Sequence, residues 1–156
     1  MLETIKNKYI DIFQKEYQIP NPINADLNLK KIAQQSQLCF ERLDEIKVNE
    51  NVKHFANRLN KSVFGNSFYR YGKRLKGWYV FEGGKYKHPH IHAIIERPER
   101  INKYQFSDLI IKCWMETKFG YGHNRVAETY DYPKRVNYML KSYSKETDLE
   151  SSIHFI

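Results

Sequence analysis

An α+β fold is what this sequence predicts, and three observations carry the prediction. Apolar residues recur at helical spacing in separate segments, for example Val52, Phe55, Ala56, Leu59 and Val63. Between such segments lie short runs of β-prone residues, WYVFE at 78–82 and HIHAII at 90–95, joined by glycine-containing turn material. The two periodicities alternate over 156 residues, a length that suits one domain with its own core and leaves no room for a second catalytic module.

Taken in order, Ile5, Tyr9, Ile12, Phe13 and Tyr17 predict an amphipathic helix over 3–17 that ends before the IPNP turn, Pro20 to Pro22. On this reading residues 1–35 form an N-terminal helical extension of open role. SQLCFERL at 36–43 predicts a strand, and a helix follows over about 50–64, capped by Asn49 or Asn51 and stopped by Gly65. NSFYRYGKRLKG predicts a loop leading into the strand at 78–82; GGKYKHP is turn material, and HIHAII returns as the partner strand, closed by Pro98. Tyr104, Phe106, Leu109, Ile110, Cys113 and Trp114 predict a helix to about residue 118, after which FGYGHN is a loop. Val126, Glu128 and Tyr130 suggest another strand, and Pro133 stands near the start of a last helix over 133 to about 145, where a proline is tolerated. The main domain therefore runs over 36–146, with 147–156 a loosely ordered tail.

Lys and Arg number 26 against 18 Asp and Glu, a formal charge of +8 that favours a polyanionic partner such as nucleic acid or an acidic membrane surface. Twelve tyrosines interleaved with basic residues suit a surface that stacks bases and holds phosphates. Cys39 and Cys113 stand far apart with no CxxC, which argues against a zinc knuckle or a disulfide framework and for reduced thiols. No apolar run reaches the roughly 18 residues of a membrane span, and MLETIKNKY is too polar for a signal peptide. The expected location is the cytoplasm, with no membrane partner.

KHPHIHAIIERP at 87–98 gathers three of the six histidines at alternate positions. Side chains two apart on a strand share a face, so His90 and His92 point together. If WYVFE pairs with HIHAII as an antiparallel hairpin, Glu82 joins that face in any register that sets it opposite either histidine. Two imidazoles and a carboxylate make a mixed nitrogen and oxygen site for Mg²⁺, Mn²⁺ or Zn²⁺ with positions open to a substrate oxygen. The plainer reading, one histidine bonded in the core and the other in solvent, loses ground once Glu82 is counted. His88 shares the parity, but Pro89 makes it a loop residue or an outer donor.

The stretch YPKRVNYMLKSYSK at 132–145 decides what such a metal is for. On a helix Val136, Met139, Leu140 and Tyr143 form the packed side, and Lys134, Tyr138, Lys141 and Lys145 line the opposite stripe. A phenol with an ordinary pKa of about 10 is a poor nucleophile at neutral pH, but nearby ammonium groups favour its phenolate and attract a phosphodiester. Lys141 is best placed to do both. Without the histidine strand, Tyr138 would read as an ordinary exposed tyrosine on a solvated basic helix.

His90, Ile91 and His92 with Glu82 upstream and YMLK downstream resemble the HUH endonuclease superfamily, and are most similar to single-tyrosine rolling-circle replication initiators of plasmids and phages. The similarity runs over about 36–146. It implies a central, mostly antiparallel sheet of four or five strands with flanking helices, HUH, ferredoxin-like or RRM-like in layout. It also implies Glu82, His90 and His92 as ligands of Mg²⁺ or Mn²⁺, Tyr138 as nucleophile and Lys141 as its catalytic neighbour. The implied reaction is nicking and rejoining of single-stranded DNA at an origin or hairpin through a 5′-phosphotyrosine, the freed 3′-hydroxyl priming replication. A helicase and polymerase of host or element are the further partners, and a homodimer stays open. Tyr138 and Tyr143 are five apart where some relatives space two tyrosines as Tyr-x-x-x-Tyr, which puts a two-tyrosine exchange in doubt, and no GxxxxGK[ST] pattern supplies a helicase in this chain.

Three rivals bear on the same residues. HPHIHAII also resembles the histidine-triad nucleotide hydrolases and transferases, in which the middle histidine attacks without metal, but that reading leaves Glu82 and the Tyr138 stripe unused. A non-catalytic nucleic-acid-binding module would make the histidines structural. Within the favoured class, a transposase or a mobilisation relaxase shares the same pair and tyrosine. Arg70, Lys73 and Arg74, with Lys134 and Lys145, are the expected DNA contacts on either nucleic-acid reading.

Overall fold

The computed structural model describes residues 2–83, 87–141 and 153–155. Helix α1 (Leu2–Asp11) runs into a π-helical turn, Ile12–Glu16, and then into strand β1 (Pro22–Asn28). A separate hairpin follows, β2 (Ile32–Ser36) with β3 (Cys39–Arg42), before helices α2 (Glu45–Phe64) and α3 (Asn66–Tyr71). Strands β4 (Gly77–Glu82) and β5 (His90–Glu96), helix α4 (Lys103–Met115), strand β6 (Arg125–Glu128), helix α5 (Tyr132–Lys141) and strand β7 (Ile153–Phe155) complete the order. The main sheet has five strands in the order β6-β1-β5-β4-β7, each neighbouring pair antiparallel. This is the α+β layout the sequence predicts.

Register sorts the side chains of β1, β4 and β5 by parity. Odd positions, among them Ala25, Leu27, Tyr79, Ile91, Ala93 and Ile95, face α2 and α4 and form the larger core with Phe55, Leu59, Phe106, Ile110 and Trp114. Even positions face the other way, where Trp78, Val80 and Ile94 meet Phe13, Ile19, Val136, Met139 and Leu140 in a smaller core. Phe13 stacks on Trp78 with ring centroids 3.6 Å apart, which fastens the π-helical turn to the sheet. Both sheet faces are thus covered, and within β1, β4 and β5 the histidines and carboxylates lie on the even face alone.

Five expectations change. Residues 1–35 are not a helical extension: PINADLN within them forms β1, an interior strand between β6 and β5, because Ile23, Ala25 and Leu27 alternate with polar residues at the period of a half-buried strand. The expected strand at 36–43 is one arm of the β2 and β3 hairpin, which stands outside the main sheet. Helix α2 begins earlier than 50, since the Asp44 carboxylate accepts the Lys47 N–H and caps it there; Asn51 is buried instead, its amide donating to Thr117 Oγ1 and its oxygen accepting the Phe119 N–H. The loop expected after Gly65 contains α3, closed by Gly72 in the left-handed conformation. In the expected tail, Ile153–Phe155 pairs with β4 as an edge strand. Gly120 answers a close approach, since a Cβ there would come within 2.0 Å of the Trp114 carbonyl oxygen.

Candidate metal centre and nucleophile

Glu82 pairs with His90 across the β4 and β5 hairpin, and His92 lies one pleat further on the same face. Their ligand atoms converge: His90 Nε2 and His92 Nε2 are 3.1 Å apart, with Glu82 Oε2 2.9 Å from the His92 nitrogen and 3.3 Å from that of His90. An octahedral ion with bonds of about 2.1 Å spaces adjacent ligands roughly 3.0 Å apart, so this triangle fits one face of such a shell. Chemistry agrees with geometry. His92 Nδ1 stands 2.6 Å from Asp26 Oδ1 and His90 Nδ1 stands 2.9 Å from the His88 carbonyl oxygen, so each ring has a place to donate its Nδ1–H. Both Nε2 lone pairs then face a carboxylate, and three acceptors at that spacing repel one another unless a cation lies among them.

Asp26 does not stand out in the sequence, and it is the group that orients the buried ligand. It stands opposite His92 in the β1 and β5 register and also accepts from Arg135 Nη2 at 2.6 Å. A carboxylate behind a ligating histidine fixes the tautomer and raises ligand basicity. Burial alone would raise the Asp26 carboxyl, but hydrogen bonds from His92 and Arg135 outweigh it and hold it at about 2. Burial would likewise raise Glu82, but the hydrogen bond from the Lys87 ammonium to its other oxygen outweighs it and holds it below its ordinary value. Both groups are therefore carboxylates across the physiological range. The signal for Asp26 was the period-two alternation of PINADLN; for Arg135 and for Lys87, which bonds the other oxygen of Glu82, the sequence offered none.

Helix α5 brings Tyr138 to this centre. Asp131 starts the helix by accepting the Lys134 N–H, and Val136, Met139 and Leu140 are buried on the smaller core, as the helical stripe predicts. That docking sets the Tyr138 ring edge-on to His92 with centroids 5.6 Å apart, while Tyr138 remains 55% exposed to solvent. The Arg135 guanidinium lies over the same ring at 5.5 Å. Lys141 ends α5 one turn beyond Tyr138; its side chain, and all of Tyr143 and Lys145, lie outside the described residues. Lys134 is exposed on the first turn of α5.

The remaining expected DNA contacts sit elsewhere. Arg70 is on α3, and Lys73 and Arg74 lie in the loop that enters β4 at Gly77, the end of the strand opposite Glu82 and about 17 Å from it. Arg74 is engaged there, donating to Asn57 Oδ1 at 2.9 Å and lying over the Phe68 ring. His88 is exposed in the turn before β5 rather than on the strand.

An α+β fold with an antiparallel hairpin carrying Glu82, His90 and His92 defines a protein compatible with the HUH metal pattern. The model of a replication-associated protein family, the ORF2 type, matches residues 38–147, and the chain belongs to that family. Comparisons with curated proteins and with solved structures gave no match. Among the described residues no helix is long and apolar enough to cross a membrane. The matched segment begins after β1, yet β1 supplies Asp26, so the structural unit around the centre extends upstream of the match.

Proposed function

We propose that this protein nicks and rejoins single-stranded DNA at a defined site and thereby initiates rolling-circle replication. The observation that carries the reading is the triangle of Glu82 Oε2, His90 Nε2 and His92 Nε2 with the half-exposed Tyr138 ring against its edge. A divalent ion held by those three residues, Mg²⁺ or Mn²⁺, supplies Lewis acidity toward a phosphate oxygen when bound. Tyr138 Oη bonds to the phosphorus and gives up its proton to water; the bond from phosphorus to the 3′-oxygen breaks, and that oxygen leaves as a hydroxyl after taking a proton from water. A 5′-phosphotyrosine remains, and attack by a 3′-hydroxyl reverses the exchange and rejoins the strand. Asp26 holds the His92 ring in register, Arg135 ties the helix of the nucleophile to that same carboxylate, and Lys141 is the proposed neighbour that draws in the phosphodiester. Lys134 and Lys145 are the proposed contacts to flanking phosphates.

Incubation with a pool of single-stranded oligonucleotides and Mn²⁺, followed by denaturing electrophoresis, tests the reading. A protein band shifted by attached DNA is expected; it disappears with a chelator and in Tyr138→Phe, which keeps its DNA affinity. A band that persists in Tyr138→Phe would overturn the assignment. Cleavage without metal would instead favour the histidine-triad alternative with His90 as nucleophile, although His90 Nε2 points at His92 and Glu82. DNA affinity with no band under any condition would leave only the binding module.

A further inference from the structure

The tip of the β4 and β5 hairpin presents different chemistry on its two faces. Glu82 and His90 point to the metal side, while their chain neighbours Phe81 and Pro89 line a cavity of about 410 Å³ against the β2 and β3 hairpin. Phe81, Pro89, Ile32 and Leu43 give that cavity an apolar lining, and Lys31 and Arg42 stand at it with no ion-pair partner among the described residues. Two acidic residues also line it, but Asp44 is engaged by Lys47 and by the cap of α2, which leaves Glu45 as the one acidic side chain there outside any ion pair among the described residues. The volume lies in the range of small-molecule sites, roughly 300–1,000 Å³.

Resting on the proposed function, we infer that this cavity receives one unstacked nucleobase of the same single strand, next to the scissile phosphate, and sets the base preference of the reaction. An apolar pocket with an aromatic ring takes the flat face of a base, and free cations at its edge take the adjoining phosphate. The charge pattern fits a polyanion, in line with the formal charge of +8. Position supports it as well: Phe81 and Glu82 are consecutive on β4 and face opposite sides of the sheet, so a strand that wraps this end of β4 and β5 meets both sites. The reader of the base is then the β2 and β3 hairpin, through Ile32 and Arg42, which face the same way in its register.

The test uses the full chain and a randomised single-stranded DNA pool, with the bound fraction sequenced. Wild type and Tyr138→Phe should enrich one base at one position, and Ile32→Trp, which plugs the cavity, and Arg42→Glu should flatten that enrichment. With the best oligonucleotide, an abasic site at that position should slow adduct formation by roughly ten-fold in wild type. The same abasic site should cost Ile32→Trp no further loss. No base preference in wild type, or an enrichment that survives both substitutions, would overturn the pocket. A preference that depends on the pocket, with no covalent adduct in wild type, would instead sink the nicking reading and leave the pocket standing.

Discussion

At the scale of single residues, the centre depends on a side chain that holds no ligand position. His92 is 4% exposed, so its ring cannot reorient into solvent, and its usable lone pair is decided by what its other nitrogen meets. Asp26 decides it, from 2.6 Å, and Arg135 holds Asp26 in turn. Asp26→Asn keeps the size of the group, removes its charge and lets an amide face the His92 nitrogen. We expect Mn²⁺ affinity to fall by roughly ten- to a hundred-fold, the usual cost of removing such a partner, and isothermal titration measures it. Tyr138→Phe should bind Mn²⁺ as wild type does. An unchanged affinity in Asp26→Asn would mean that the His92 tautomer is set by something else.

At the scale of elements, starts and stops follow local chemistry and so make local predictions. The Asp44 carboxyl is held below its ordinary value first by the Lys47 side chain and then by the Lys47 N–H. A depressed folded value means that the cap contributes its full stability above the unfolded carboxyl pKa of about 3.9 and loses it as pH falls through the lower folded value. Asp44→Ala should therefore melt below wild type by a constant margin from neutral pH down to about 4. In thermal melts the margin should narrow below that point; a margin that stays constant into stronger acid would show that the charge on Asp44 does not matter to α2. The same locality explains what the sequence revealed. Glu82, His90 and His92 were legible because any register that sets Glu82 opposite either histidine puts all three on one face, and the buried stripe of α5 because helical spacing needs no partner to be seen. Asp26 was not: that β1 lies beside β5 is a pairing between residues 26 and 92, and no local pattern in either strand names its neighbour. The short α3 was missed for a related reason, since a helix of six residues between two glycines has none of the periodicity that marks a longer one.

At the scale of the whole molecule, the proposed function divides DNA contact between the two ends of β4. The metal centre, Tyr138 and the cavity gather at the Glu82 end of β4, whereas Lys73 and Arg74 lie in the loop that enters β4 at Gly77, with Phe68, Tyr69, Arg70 and Tyr71 on α3 just before it and Arg74 over the Phe68 ring. Tyr69 and Tyr71 are 64% and 74% exposed there, and the Lys61 ammonium lies over the Tyr69 ring at 5.6 Å, so rings and cations are both presented to solvent. A single strand long enough to follow β4 for about 17 Å would meet both ends, and a short one centred on the scissile phosphate would meet only the first. Arg70→Glu with Lys73→Glu should therefore weaken binding of a long oligonucleotide much more than of a short one that carries the nick site alone. The slope of log affinity against log salt should become shallower by about 0.7 for each phosphate that is no longer neutralised, which fluorescence anisotropy over a salt series measures. Equal weakening of long and short strands would place these side chains beside the nick instead, and no weakening of either would confine DNA binding to the Glu82 end. If the length dependence holds, the β-sheet acts as a ruler, with chemistry at one end and sequence-independent grip at the other.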